Sequence, residues 1–416
     1  MKLLFVSPLS PYPPRLGSAV ITLNHIRYLS TRHTVDLIAF ADRKKANDLG
    51  DLPRWCNNVE LVDRPPRWQV LLYMIGRMTR DPVLDISRFR SSSMSEAVDR
   101  RLADGNYDAV LFQTLLSAQF RPEWYRGPTI WSLEDPSALK IQRMLPMYPW
   151  YSRLLHRSRS DRLQRYERKQ ASHFGRVTFV NKEDALEYKC IVPQASTDWV
   201  PHGIDPEAYR PCEEELRREG MIVITGNMFH IPNVDAVDFF CRDVFPLVCE
   251  QVASANLWLV GARPAKRVRK WANNPRVKVT GSVLDIRPYL HQAMISVCPV
   301  RLAIGTQTKI LEALACGTPV VTTSAGNHGV GASSGEHLHV ADDPVQFASK
   351  VVDLLKGIGW HDLSRNGRKF VEDNFAWSKS ALRLEKILEQ LASTSTRNLI
   401  PSVTYGKRTY GGDKGH

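Results

Sequence analysis

The chain lacks the marks of a scaffold held by cross-links. Its seven cysteines, Cys56, Cys190, Cys212, Cys241, Cys249, Cys298 and Cys316, include no CxxC pair, and their number is odd. That argues against a zinc site or a disulfide framework and for free thiols in a reducing compartment. No D-x-D closes a strand and no His/Cys cluster is present, so neither metal nor cofactor is expected. Long apolar runs are also missing. The longest, near residues 68–75, falls far short of the roughly 20 residues that cross a bilayer. The N-terminal apolar stretch stops before Pro8, too short for the h-region of a signal peptide. The expected location is therefore the cytoplasm, with a membrane surface as a resting place. There is no short internal repeat. Acidic residues are in deficit: 43 Asp and Glu against 56 Lys and Arg leave a formal charge of +13. This favours an anionic partner, whether nucleic acid, lipid headgroup or phosphorylated substrate. No nucleic-acid-binding motif accompanies the charge.

What is present is an ordinary globular composition. With 43% hydrophobic and 24% charged residues, the chain is neither collagen-like, mucin-like nor wholly disordered. Its 416 residues suit two or three domains of about 150 residues, large enough to bury cores without disulfides. Short apolar runs predict strands at 2–7, 34–40, 108–112, 129–133 and 177–180. A second series follows at 221–225, 257–260, 277–280, 295–299 and 319–322. Helical patterns fall between them, including 309–315, and a last helix is expected over 378–391. Strand and helix in alternation define parallel α/β sheets. The Pro- and Gly-bearing segment DWVPHGIDPEAYRP reads as a linker. The expected division is 1–195, a linker at 196–212, a second domain at 213–376, a C-terminal helix at 377–392 and a disordered tail at 393–416.

Two segments carry chemistry. In RLLHRSRSDRLQRYERK, beginning at Arg153, seven basic residues face two acids, just after Tyr148, Trp150 and Tyr151. A surface spanning 148–169 that touches anionic lipid and a solvated Arg-rich helix are both compatible with it. The stronger segment is SVCPVRLAIGTQTKILEALACGTPVVTT. Gly305 and Thr306 lie in a loop before a helix bearing Lys309 and Glu312. Such a loop lets backbone N–H groups reach a phosphate at the positive end of the helix. Lys309 is placed to neutralise a diphosphate oxygen, and Glu312, three residues on and on the same face, to accept from ribose hydroxyls. An ordinary loop and helix with an i,i+3 ion pair fits the same letters.

GTQTKILEALACGTPVV resembles the donor-site signature of retaining GT-B glycosyltransferases of family 4, the E-x7-E group. It is most similar to the branch of exopolysaccharide-associated sugar transferases. LLFVSPLSPYPPRLGSA, VPHGIDPEAYRP, ITGNMFHIPNVDAV, LVGARP, VTGSVLDIRPYL and VEDNFAWSKS resemble further family pieces in the family's order, nearly to residue 391. The resemblance implies a GT-B fold: two Rossmann-like domains facing a cleft, with a C-terminal helix crossing back to the N-terminal domain. The first domain would take the acceptor and the second the nucleotide-sugar. It implies donor contacts from Gly17, Ser18, Asn227, Gly281, Ser282, Gly305, Thr306, Gln307, Lys309 and Glu312. Lys309, Glu134 and Asp135 would act in catalysis.

Three departures stand out. The position of the first acid of E-x7-E is Ile304, so sugar recognition would need other groups. The first strand of the second domain ends in Gly226-Asn227-Met228, with His230 nearby, where many members carry an Arg and a Lys. Ser132-Leu133-Glu134 replaces a frequent His, so Glu134 or Asp135 would stand in for it. A helix N-cap pair is the other reading of these two acids. His202 at the hinge and His328 in GNHGVG are further cleft candidates, while His25 and His291 suit packing or surface roles. The implied activity is transfer of a sugar from a nucleotide-diphosphate sugar, UDP- or GDP-linked first, to a saccharide or lipid-linked acceptor with retention and without metal. It would serve bacterial exopolysaccharide or cell-surface glycan synthesis on the cytoplasmic face of the inner membrane. A catalytically impaired GT-B scaffold and a nucleotide-sugar 2-epimerase share the same fold.

Overall fold

Strands buried on both faces read as continuous apolar runs, because helices cover a parallel sheet above and below. β1 (Lys2–Ser7) and β2 (Thr34–Phe40) have every residue after the first buried, and the one acid among them, Asp36 of β2, accepts from the Tyr107 hydroxyl at 2.7 Å. The computed structural model describes residues 1–14, 17–41, 49–65, 84–87, 89–213, 216–302 and 305–398. The apolar run near 68–75, Ile304 and the segment 399–416 lie outside the described residues.

Seven parallel strands form the first sheet in the order β3-β2-β1-β4-β5-β6-β7. β3 spans Asn58–Val62, β4 Ala109–Gln113, β5 Thr129–Glu134, β6 Arg176–Phe179 and β7 Thr197–Trp199. Six parallel strands form the second sheet, ordered β10-β9-β8-β11-β12-β13. β8 spans Arg218–Thr225, β9 Asn256–Val260, β10 Val277–Gly281, β11 Ala293–Cys298, β12 Val320–Thr322 and β13 His339–Val340. Both orders reverse direction once, between β1 and β4 and between β8 and β11. Crevices at such switch points, beyond the carboxyl ends of the strands, are where open α/β sheets bind ligands.

Six helices position the cleft: α1 (Gly17–Leu29), α2 (Ser137–Met144), α3 (Trp150–Ala171), α4 (Ile231–Phe239), α5 (Thr308–Ala315) and α6 (Trp377–Asn398). Side chains alternate across each sheet. In the second domain Ile222, Leu257 and Ile295 pack with Phe240 and Phe347 on one face. Met221, Val223 and Val260 pack with Leu311 and Leu314 on the other.

Helix α6 leaves the second domain and completes the first. Its Leu384, Ile387 and Leu388 join the cluster of Leu3, Phe5, Ile26 and Leu29. Glu385 receives His33 at 2.7 Å and Arg32 at 2.6 Å. At the crossing Ser380 donates to the Pro201 carbonyl at 2.6 Å. His25 Nε2 lies 3.0 Å from the same hydroxyl, so His25 donates to it. Burial pushes His25 down to about 3, which keeps it neutral.

Two expected boundaries shift. The linker was expected to begin at 196, but Thr197–Trp199 pair with β6 as an edge strand. Arg383 of α6 explains this: its guanidinium lies 3.7 Å over the Trp199 ring and binds Asp198 at 2.9 Å. The tail was expected from 393, but α6 continues to Asn398. The hydroxyls of Ser393 and Thr394 donate to the Gln390 carbonyl at 2.9 and 2.8 Å, so within the helix these side chains bond back to the preceding turn. The short strands β3 and β13 were not foreseen.

Candidate functional site

The carboxyl ends of β8 and β9 and the start of α5 enclose a cavity of about 650 Å³, within the range of small-molecule sites. Its floor is backbone. A side-chain carbon on Gly261, whose φ is 152°, would lie 1.7 Å from the Gly226 carbonyl oxygen. Gly261→Ala is therefore expected to cost about 1–3 kcal/mol, read as a lowered Tm. An unchanged Tm would mean that these strand ends do not approach so closely.

Helix α5 turns Ile310, Leu311 and Leu314 into the core. Lys309 and Glu312, three residues apart, are left on the cavity side. They form no ion pair with each other. Lys309 Nζ donates to Asn233 Oδ1 at 2.5 Å, and Asn233 Nδ2 donates to the Asn227 carbonyl at 2.9 Å. Glu312 Oε1 accepts from the Tyr209 hydroxyl at 3.3 Å. Burial pushes the Glu312 carboxyl up to about 7, against the pull of Tyr209 and Lys309. A second cation, Arg263, lines the cavity just past β9. His230 lines it as well. Burial lowers its pKa, and the charges of Lys140 and Lys309 lower it further.

The first domain faces this cavity with the end of β5. Glu134 has φ 68°, a conformation costly for a non-glycine residue and common where function demands it. Its Oε1 is buried with no hydrogen-bond partner among the described residues. Burial, then the neighbouring Asp135, raise its carboxyl to about 8. Asp135 accepts from Lys140 at 2.9 Å. Neither acid caps α2: the N-cap is Pro136, with no side-chain bond, and Glu167 of α3 accepts from the Ala138 N–H at 3.2 Å. The N-cap reading therefore gives way to a pair directed elsewhere. A side-chain carbon on Gly305, φ 57°, would lie 2.2 Å from Asp135 Oδ1, so only glycine lets the loop pass there. Thr306 Oγ1 lies 3.3 Å from the Val180 carbonyl and 3.1 Å from that of Gly329. The loop before α5 thus touches both domains.

Of the residues singled out from sequence, Asn227, Thr306, Gln307, Lys309 and Glu312 line one cavity. Gly305, Glu134 and Asp135 border the same loop. Gly281 and Ser282 sit at the end of β10, just before Val283, which does line the cavity. Gly17 and Ser18 begin α1 and do not line it. His202 donates to the Gly203 carbonyl at 2.7 Å and packs on Trp377. His328 Nε2 is buried with no hydrogen-bond partner among the described residues and lies outside the cavity lining. Arg263, Asn233 and Tyr209 were missed. The G-x-R that follows β9 was the one signal for Arg263. It supplies the second cation where the end of β8 carries none.

Two Rossmann-like sheets with a cavity at the second switch point define the GT-B architecture. Residues 219–357 match the family described as glycosyl transferases group 1. The chain is 22% identical over 393 residues to an uncharacterized 44.6 kDa protein in the cps region of Klebsiella pneumoniae, covering 90% of this chain and 96% of that one. Among solved structures it is similar to sucrose-phosphate synthase from Thermosynechococcus elongatus, with TM-score 0.72 and 17% identity over 95% and 100% of the two chains. It is also similar to Anabaena Alr3699/HepE in complex with UDP, with TM-score 0.65 and 15% identity over 94% and 100%. At these identities the structural likeness shows the fold. Among the described residues no group of three or more His, Cys, Asp or Glu is arranged to hold a metal, and no helix is long and apolar enough to cross a membrane.

Proposed function

We propose that this protein is a retaining glycosyltransferase that moves a sugar from a nucleotide-diphosphate sugar to a saccharide or lipid-linked acceptor during assembly of a bacterial surface polysaccharide at the cytoplasmic membrane. The observation that carries this reading is the joint placement of Lys309 and Glu312 in one cavity, across the Gly305–Thr306 loop from Glu134 and Asp135. The match to group 1 glycosyl transferases and the relative from a cps region support it. HepE has been solved with UDP-glucose, which makes a UDP-sugar the first donor to test and a GDP-sugar the next.

The diphosphate lies against the start of α5 and Lys309, with Arg263 beside it, and the ribose hydroxyls donate to Glu312. The bond from the anomeric carbon to the diphosphate oxygen breaks as the acceptor oxygen attacks from the same face. The acceptor proton passes to the departing phosphate oxygen. Lys309 and Arg263 take up the leaving charge, and Glu134 steadies the cation-like sugar. Catalysis then rests on placement and charge stabilisation, without a protein nucleophile.

Thermal unfolding with UDP, GDP, ADP, CMP and TDP tests the site. At about 100 times its dissociation constant the right nucleotide adds roughly 2.7 kcal/mol, and Glu312→Ala abolishes the shift. No shift with any of the five would remove the donor assignment and favour a scaffold. Product formed without an acceptor would mark an epimerase.

A further inference from the structure

Helices α2 and α3 form a hairpin that begins directly after Glu134 and Asp135. Ala138, Ile141 and Leu163 fill its seam. Ser160 donates to the Ala138 carbonyl at 2.8 Å, so Ser160 lies level with the start of α2. The part of α3 before Ser160, about 15 Å of helix, therefore runs back along α2 and beyond its end at Met144. Its tip is stiff. Arg153 donates to the carbonyls of Tyr148 and Pro146 at 3.0 Å each, and the Tyr148 ring stacks on His156 at 3.6 Å.

Successive helix residues turn by about 100°, and the buried Ser160, Leu163, Glu167 and Ala171 fix the inward face. Trp150, Tyr151, Leu154 and Leu155 fall on the opposite face, at 80%, 73%, 79% and 65% exposure. Further along, the same outward face carries Arg165, Arg168 and Lys169, all exposed. Of the two acids in α3, Glu167 is turned inward and binds Ala138, which leaves Asp161 outside. A merely solvated helix has no use for four large apolar side chains on its water-facing side.

We infer that the tip of this hairpin docks on an anionic phospholipid bilayer. Trp150, Tyr151, Leu154 and Leu155 enter the headgroup–acyl boundary, and Arg165, Arg168 and Lys169 meet lipid phosphates. A protein partner is less well matched, because one face joins exposed apolar side chains to exposed basic ones, the pairing that a headgroup–acyl boundary takes. If the proposed activity holds, docking keeps Glu134 and Asp135 within the length of one hairpin of acceptors carried in the membrane. The docking itself does not depend on that activity.

The test is co-sedimentation of the full chain with vesicles of phosphatidylethanolamine and phosphatidylglycerol, against phosphatidylcholine alone, at about 0.1 M salt. One variant carries Trp150→Ser, Tyr151→Ser, Leu154→Gln and Leu155→Gln. A second carries Arg165→Glu, Arg168→Glu and Lys169→Glu. Wild type is expected to bind the anionic vesicles, and each variant to bind roughly tenfold less or weaker still. Wild-type binding should also fall with added salt, and both variants should keep the wild-type Tm. Absent wild-type binding to anionic vesicles, or equal binding by the variants, would overturn the inference. So would a wild-type dimer in light scattering that the first variant dissociates, because the patch would then be an interface between copies.

Discussion

Lys309→Ala is expected to lower turnover by on the order of 10²–10³ with little change in Tm. The ammonium belongs to the first turn of α5, where the helix dipole adds to its charge. Among the described residues no carboxylate pairs with it. Its hydrogen bond among these residues runs to the neutral Asn233, so its charge stays available to the diphosphate of the proposed donor. Loss of one charged contact weakens nucleotide-diphosphate binding by about 1.5–3 kcal/mol, or about 10–100-fold. Steady-state kinetics would show kcat falling more than KM rises. A rise in KM with kcat unchanged would mean that Lys309 only binds the donor and does not stabilise the leaving group.

Glu134→Gln is expected to lower kcat/KM by a similar factor, on the order of 10²–10³, and to flatten the pH profile. The wild-type carboxyl, raised to about 8 by burial and by Asp135, is neutral below that pH and ionised above it. A cation-like sugar needs the ionised form, so wild-type activity should climb as pH rises through about 8, while the glutamine variant stays flat. Stability moves the other way. A carboxyl whose folded pKa is raised supports the fold fully below its unfolded value and loses that support as pH rises through about 8. Glutamine stays neutral, so Glu134→Gln should be no less stable than wild type at high pH. A wild-type profile that instead falls through about 8 would assign Glu134 the role of a proton donor.

Much of this architecture is legible in the sequence. β2 falls on the expected residues 34–40, because its mostly apolar letters suit a strand covered on both faces and its one acid, Asp36, is held by Tyr107 and Asn57. Lys309 and Glu312 were legible because their spacing is local: three residues on any helix share a face. Local patterns failed where a distant segment decided the outcome. Thr197–Trp199 became a strand because α6 brings Arg383 onto Trp199, 184 residues away. The polar residues after Leu391 continue the helix to Asn398, with the Ser393 and Thr394 hydroxyls turned back on Gln390, which composition does not reveal.

The chemical environment of the site was decided at longer range still. Tyr209 reaches Glu312 across 103 positions, and Thr306 reaches Val180 across 126. Arg263 enters the cavity because β9 lies beside β8 and both end at the same edge. Two α/β domains and the charged face of α5 follow from local pattern alone, since helix and strand periods are set by near neighbours. Long-range packing alone left Glu134 at φ 68° with one carboxyl oxygen buried and without a partner among the described residues, because burial and electrostatics depend on what the rest of the chain brings close.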